Sequence, residues 1–299
     1  MRALVLLICV MTAITSPGLA EAAGKSKRQP DMSAGPAMRF VIVRSHVNGC
    51  EPNCPQWISA EGVITAQTPS LLRKALKQAG GSQLPILMTS PGGDVEAALA
   101  LGEIIRTRKL DVGVGWTFFA GCWPGDRTCN VTARQKGRYY GTPFAWRAYC
   151  LAACLLAITG GRKRLAAGAS LGTTEFSTPM TDQRITYQER YRIVKGKKKV
   201  LSRKVIKRET LRSYTTSKLD KASWKKLRAY AGKMGVGNGY LALFTKARPG
   251  SVYFVSGEEA LFTGLITSLD SARSLVANQL CKMTPAAKNC VRHVGAEKS

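Results

Sequence analysis

The stretch from Leu84 to Arg106 leaves this chain few folds to choose from. An apolar run, Leu84 to Met88, ends at Thr89 and Ser90 and meets Pro91, Gly92, Gly93 and Asp94 at once. The residues that follow place Val95, Leu99 and Ile105 at helical spacing, so strand, sharp turn and amphipathic helix succeed one another. A diglycine at such a turn reaches backbone dihedrals closed to other residues. It also presents N–H groups at a helix start, where negative charge is stabilised, which is the physics of an oxyanion hole.

A second block carries the other half of the argument. Tyr149 to Gly161 reads as a buried helix closed by Gly160 and Gly161, and Arg162 to Phe176 reads as a turn leading into strand. In this order the pieces resemble the ClpP and crotonase superfamily, most closely its secreted ClpP-like branch. The resemblance covers roughly Met38 to Asp270 and implies an α/β fold, a ClpP/crotonase-like spiral of β-β-α units with a largely parallel sheet, here carrying a basic insertion.

The resemblance also implies where chemistry belongs. Gly92 and Gly93 fall on the family's oxyanion turn, within Ser90, Pro91, Gly92, Gly93. Its catalytic serine begins the next buried helix, nine residues before the second closing glycine, and that position is Ala152. The secreted branch's Cys-x-Ser-Ala-Cys pattern reads Cys150, Leu151, Ala152, Ala153, Cys154 and gives the same register. The general base, a histidine, falls at Thr174, or at Glu175 with a one-residue slip. The only histidines are His46 and His293, far outside this segment. A hydroxyl nucleophile needs an adjacent base, so no catalytic pair is intact, and Ala152 and Thr174 are vestigial positions. A binding or scaffold protein that holds a peptide-like ligand at the oxyanion turn follows. Two alternatives remain: a serine- or cysteine-type peptidase with a displaced nucleophile at Ser90, Thr173 or Cys154, and a structural assembly subunit.

Around these blocks, Phe40 to Arg44 and Trp57 to Ile64 read as strands, a helix starts with Thr68 as cap and Pro69 in its first turn, and Asp111 to Phe118 reads as strand. Alternation of strands and helices predicts a largely parallel sheet. Ala120 to Pro143 reads as a cysteine-stapled loop that holds a glycosylation sequon at Asn130. Helical text resumes after Ser217 and breaks at Gly235 to Gly239. Ser256 and Glu259 have capping-box spacing, and Phe254 to Thr267 resembles the closing element of the secreted branch.

Residues 1–22 read as a cleavable export signal, 23–37 as a disordered leader, 38–280 as the ClpP/crotonase-like domain with a basic insertion at 184–216, and 281–299 as a C-terminal tail. The protein is expected to be exported, and periplasmic in a Gram-negative host. Cys9 leaves with the signal, and the eight remaining cysteines imply disulfides in an oxidising compartment. Spacing suggests Cys50 with Cys54, Cys122 with Cys129, and Cys281 with Cys290. Cys150 and Cys154 pair only if the helix start is distorted enough for the bridge geometry. Zinc at Cys50, Cys54 and a second pair, or catalysis by Cys150 or Cys154, are the rival uses; no metal or cofactor is expected.

The formal charge of +27 concentrates in the insertion, at Lys195, Lys197, Lys198, Lys199, Arg203, Lys204, Lys207 and Arg208. Val194 to Val200 reads as a hairpin turn with a cationic tip. Such a density attracts anionic partners. Export favours an envelope polymer or lipid headgroups over nucleic acid, for which no recognition motif is present. The superfamily resemblance also implies a homo-oligomer.

Overall fold

Alternation along the strands sorts side chains onto two faces of one large sheet. In the computed structural model, residues 35–126, 139–176, 178–216 and 219–292 are described. The segment read as an export signal, nearly all of that read as a leader, Cys129, the Asn130 sequon and His293 lie outside them. The sheet is built from β1 (Arg39–Ser45), β2 (Asn53–Glu61), β3 (Ile86–Thr89), β4 (Val112–Val114), β5 (Trp116–Phe119), β6 (Tyr139–Phe144) and, later in the chain, Arg164–Leu165 and Cys290–Arg292. Between them run α1 (Thr68–Gln78) and α2 (Val95–Thr107). The order is β5-β6-β1-β2-β3-β4 and then Arg164–Leu165. Pairing is parallel at β1–β6, β2–β3, β3–β4 and β4 with Arg164–Leu165, and antiparallel at β1–β2 and β5–β6. The α/β class with a largely parallel sheet is therefore the one expected.

On β3, Ile86 and Met88 enter the main core with Ile58, Val112, Leu101 and Ile105, all buried. Leu87 points the other way, to Val43, Trp57, Phe119, Leu275 and Val276. This is the two-residue period of a sheet covered on both faces.

A second, smaller sheet positions the site: β7 (Tyr149–Leu151) lies parallel to β9 (Ser170–Thr173), and β12 (Tyr253–Val255) pairs antiparallel with β9. Arg164–Leu165 is β8, and Cys290–Arg292 is β13. The helix expected over Tyr149 to Gly161 is confined to α3 (Ala153–Ile158). Tyr149, Cys150 and Leu151 are strand instead, because their backbone is consumed by pairing with β9. α2 and α3 approach closely through glycines: a Cβ on Gly160 would lie 2.1 Å from the Gly102 carbonyl oxygen. Over this contact lies α4 (Lys221–Met234), whose Tyr230 hydroxyl donates to Leu156 O at 2.6 Å. α5 (Asn238–Lys246) and α6 (Gly257–Phe262) follow.

Several local expectations shift. Thr68 is the first residue of α1, not its cap: Gln67 holds the cap position, and Thr68 Oγ1 accepts the Thr65 N–H at 2.8 Å. The strand expected over Asp111 to Phe118 divides at Gly115, and residues 139–143 of the expected loop belong to β6. Ser256 does cap α6, its hydroxyl accepting the Glu259 N–H at 3.1 Å. In the segment read as a tail, β13 pairs antiparallel with β2, and buried Asn289 donates to Gln56 O and Leu275 O. Bridges join Cys50 to Cys54, Cys150 to Cys154, and Cys281 to Cys290.

The basic insertion is a two-stranded ribbon of β10 (Thr178–Val194) and β11 (Lys197–Thr216). It begins earlier than residue 184. Lys195 and Gly196, both at positive φ (51° and 72°), form the connection, the conformation a two-residue hairpin turn demands. The two strands pair with each other and, among the described residues, with no other sheet.

Candidate ligand cleft and cationic ribbon

Where β3 ends, the chain splices onto the second sheet. Ser90 forms a parallel bridge with Cys150; its N–H donates to Tyr149 O and its carbonyl accepts the Leu151 N–H, at 2.9 and 3.0 Å. The turn then swings through Gly92 (φ 103°) and Gly93 (φ 134°). Ile64 clamps it from the far side, its N–H donating to Gly92 O at 2.8 Å and its carbonyl accepting the Asp94 N–H at 2.9 Å. Asp94 caps α2 by accepting the Ala97 N–H at 2.7 Å. A side chain at Gly92 would meet Leu151 O at 2.8 Å and the Ala152 methyl at 3.0 Å. The glycine turn and Ala152 are therefore in contact.

Ala152 itself is held at φ 49°, ψ −122°, a conformation that costs an L-residue about 1–3 kcal/mol and persists only when its surroundings impose it. The Cys150–Cys154 bridge, Cα–Cα 5.3 Å, spans this elbow. The distortion that the pairing needs is thus the elbow between strand and helix. Ala152 N–H donates to Gly172 O at 2.8 Å, two residues before half-buried Thr174, so Ala152 and Thr174 both leave the β7–β9 pair at one end. Among the described residues, no acceptor is paired with the N–H of Gly93 or of Ala153. The Ala153 N–H lies beside Gly92, whose added Cβ would come within 3.1 Å of that nitrogen.

The three displaced nucleophiles are otherwise engaged. Ser90 is fully buried and its hydroxyl accepts the Gly92 N–H at 3.1 Å. Thr173, also fully buried, donates to Leu243 O at 2.8 Å. Cys154 is in its disulfide. His46 follows β1 and lies beside the Tyr140 ring of β6, in the large sheet. Cys50, Glu51 and Cys54 cluster closely enough for a metal, but both sulfurs are joined to each other. Cys122 is also disulfide-bonded.

An aromatic surface just upstream of the elbow was missed in the sequence. Trp116 stacks on Phe144 at 5.2 Å, and its indole N–H donates to Trp146 O at 2.7 Å. Trp146 is 71% exposed, with Arg147 over its ring. The run Phe144, Trp146, Tyr149 directly before Cys150 was the available signal.

The ribbon divides the predicted cations between its faces. Opposed residues share a face, and faces alternate along the unbulged β10. Lys197, Lys199, Lys204 and Lys207 oppose Val194, Arg192, Gln188 and Thr186, on one face with Arg184 and Arg190. Lys198, Arg203 and Arg208 oppose Ile193, Glu189 and Ile185 on the other, and Lys195 stands on the turn. Lys198 and Arg203 are not free cations: both hydrogen-bond Glu189, at 2.8 and 2.7 Å. Those bonds, Lys198's first, hold the Glu189 carboxyl below its ordinary pKa. Lys198 and Arg203 also lie over the rings of Tyr191 and Tyr187.

No family model matches the chain, and no curated protein does. Among solved structures it is similar to a mutant of 1510-N, a membrane-bound stomatin-specific protease, at 15% identity over 74% of this chain and 82% of that one, TM-score 0.38. It is also similar to a ClpP1 mutant from Listeria monocytogenes, at 12% identity over 73% of this chain and 94% of that one, TM-score 0.33. Among the described residues no helix is long and apolar enough to cross a membrane.

Proposed function

We propose that this is an exported ClpP-like protein that binds rather than cleaves, using the turn at Gly93 and Ala152 for a peptide-like carbonyl or carboxylate and the ribbon for anionic envelope components. The observation that carries the reading is the elbow. Ala152 keeps a strained conformation against the diglycine turn, whose Gly93 N–H, like that of Ala153, meets no acceptor among the described residues, and brings no nucleophile. Preorganised donors of this kind stabilise negative charge on an oxygen. Catalysis would further need a nucleophile and a base, and Thr174 supplies no imidazole.

The test is intact-mass analysis of the full chain after exposure to a fluorophosphonate and, separately, to iodoacetamide, with Ala152→Ser alongside. The natural protein is expected to stay unlabelled. Stoichiometric labelling of the natural chain at one residue would sink the proposal and name a working nucleophile.

A further inference from the structure

The ribbon is not an evenly charged strand pair. The register slips between Asp182 and Gln183, between Thr186 and Tyr187, and between Arg190 and Tyr191. At each slip β11 contributes one residue with no partner in the ladder: Leu211, Ile206 and Leu201. All three are aliphatic, and they are 55%, 59% and 59% exposed. They recur every fifth residue because β11 repeats a pentad: Val200-Leu201-Ser202-Arg203-Lys204, Val205-Ile206-Lys207-Arg208-Glu209, then Thr210-Leu211-Arg212-Ser213-Tyr214. Four residues of β10 span each interval, which sets the bulges about 13 Å apart at the rise of a strand. Each bulge thus presents an aliphatic knuckle with cations one to three residues further on, and Tyr187, Tyr191 and Tyr214 nearby each lie under a cation.

Three occupants suit an exposed ribbon, and charge separates them. Between Thr178 and Thr216 stand twelve Lys and Arg against three acids, so laying one copy of the ribbon on another concentrates like charge. A soluble polyanion satisfies the cations and leaves the three knuckles in water. A bilayer with anionic headgroups satisfies both, because apolar side chains enter the acyl boundary while neighbouring lysines and arginines reach phosphates. We infer that the ribbon is an interfacial anchor for an anionic lipid surface, inserted through Leu201, Ile206 and Leu211. The inference rests on the anion-binding role proposed above for the ribbon and names its partner.

The experiment is flotation of the full chain with vesicles of equal phosphatidylglycerol and phosphatidylcholine, and with phosphatidylcholine alone; elution from heparin serves as the charge-only probe. The variant Leu201→Ser/Ile206→Ser/Leu211→Ser keeps every charge. Wild type floats with the anionic vesicles only, and the triple variant loses at least about tenfold in partition while eluting from heparin unchanged. The variant Leu201→Trp guards against a collapsed ribbon: its added emission shifts to the blue with anionic vesicles. Equal flotation of triple variant and wild type, or an unshifted Leu201→Trp spectrum, overturns the inference. So does wild type held by heparin but not by vesicles, which indicates a soluble polymer. An oligomer that the triple variant dissolves, without vesicle binding, assigns the knuckles to a second copy. Loss of wild-type binding to both probes removes the anion-binding reading as well.

Discussion

Adding one methyl group at Gly93 should cost far more than the same change at an open turn of the same protein. A Cβ at Gly93 would lie 2.1 Å from Ile64 O, and that oxygen belongs to backbone which cannot rotate away. Relief requires the turn and Ile64 to separate, which breaks the Ile64 N–H to Gly92 O and Asp94 N–H to Ile64 O bonds. Two net backbone bonds contribute about 2 kcal/mol, and an L-residue at φ 134° adds at least about 1 kcal/mol. Gly93→Ala should therefore lose about 3 kcal/mol, or about 6–12 °C in Tm for a chain of this size. Gly81→Ala is the control: its φ is 84°, with nothing within 4 Å of the added carbon, so it should lose about 1 kcal/mol. Urea unfolding of both variants with equal m-values measures the difference. A Gly93→Ala midpoint no lower than that of Gly81→Ala would refute the clamp, and with it the account of how the two free N–H groups are held in place.

Arg164→Met should lose about 3 kcal/mol in the same assay: the buried guanidinium, its pKa lowered by burial and by nearby Arg106, donates to Thr159 O, Gly161 O and Gly264 O, and methionine leaves all three carbonyls unpaired. Glu259, hydrogen-bonded by Lys246, has its pKa lowered from 4.5. Its contribution is thus present above the unfolded value and lost as pH falls through the folded one, so a pH series of thermal melts should show wild type losing stability below pH 4.5 and Glu259→Gln flattening that slope. Glu189→Gln releases Lys198 and Arg203 and should delay elution from heparin to higher salt; unchanged elution would mean that this face of the ribbon does not meet the anion.

The stretch from β3 to α2 was legible because three independent signals agree there: the apolar run, the diglycine, and helical spacing after Asp94. Two counts of register placed Ala152 at the helix start expected beside the turn, and the structure brings turn and Ala152 into contact. The elbow conformation was not, since alanine gives no hint of positive φ. There the helical periodicity of Tyr149 to Gly161 misled, because pairing with β9 overrides local preference over the first three residues. The ribbon's tip was readable in Lys195 and Gly196. Its arms were read only as interleaved cations and aliphatics: β10 keeps one alternation, with Ile185, Tyr187, Tyr191 and Ile193 on one face, but in β11 each bulge resets the alternation, so the two strands never show the same period. Thr68 resembled a cap by composition, but its hydroxyl turns back to Thr65, a choice that depends on how the chain leaves β2.

The ribbon also has two outer margins. β10 and β11 run for 17 and 20 residues, and beyond each lies a row of backbone donors and acceptors with no strand to meet them among the described residues. Such margins are templates on which further strands stack, and natural proteins blunt them with charge, especially lysine, and with bulges. The repeated bulges and dense cations meet both requirements. Whatever anion it recruits, each arm also repels its neighbour's arm, so a variant stripped of its lysines should first reveal itself as fibrils.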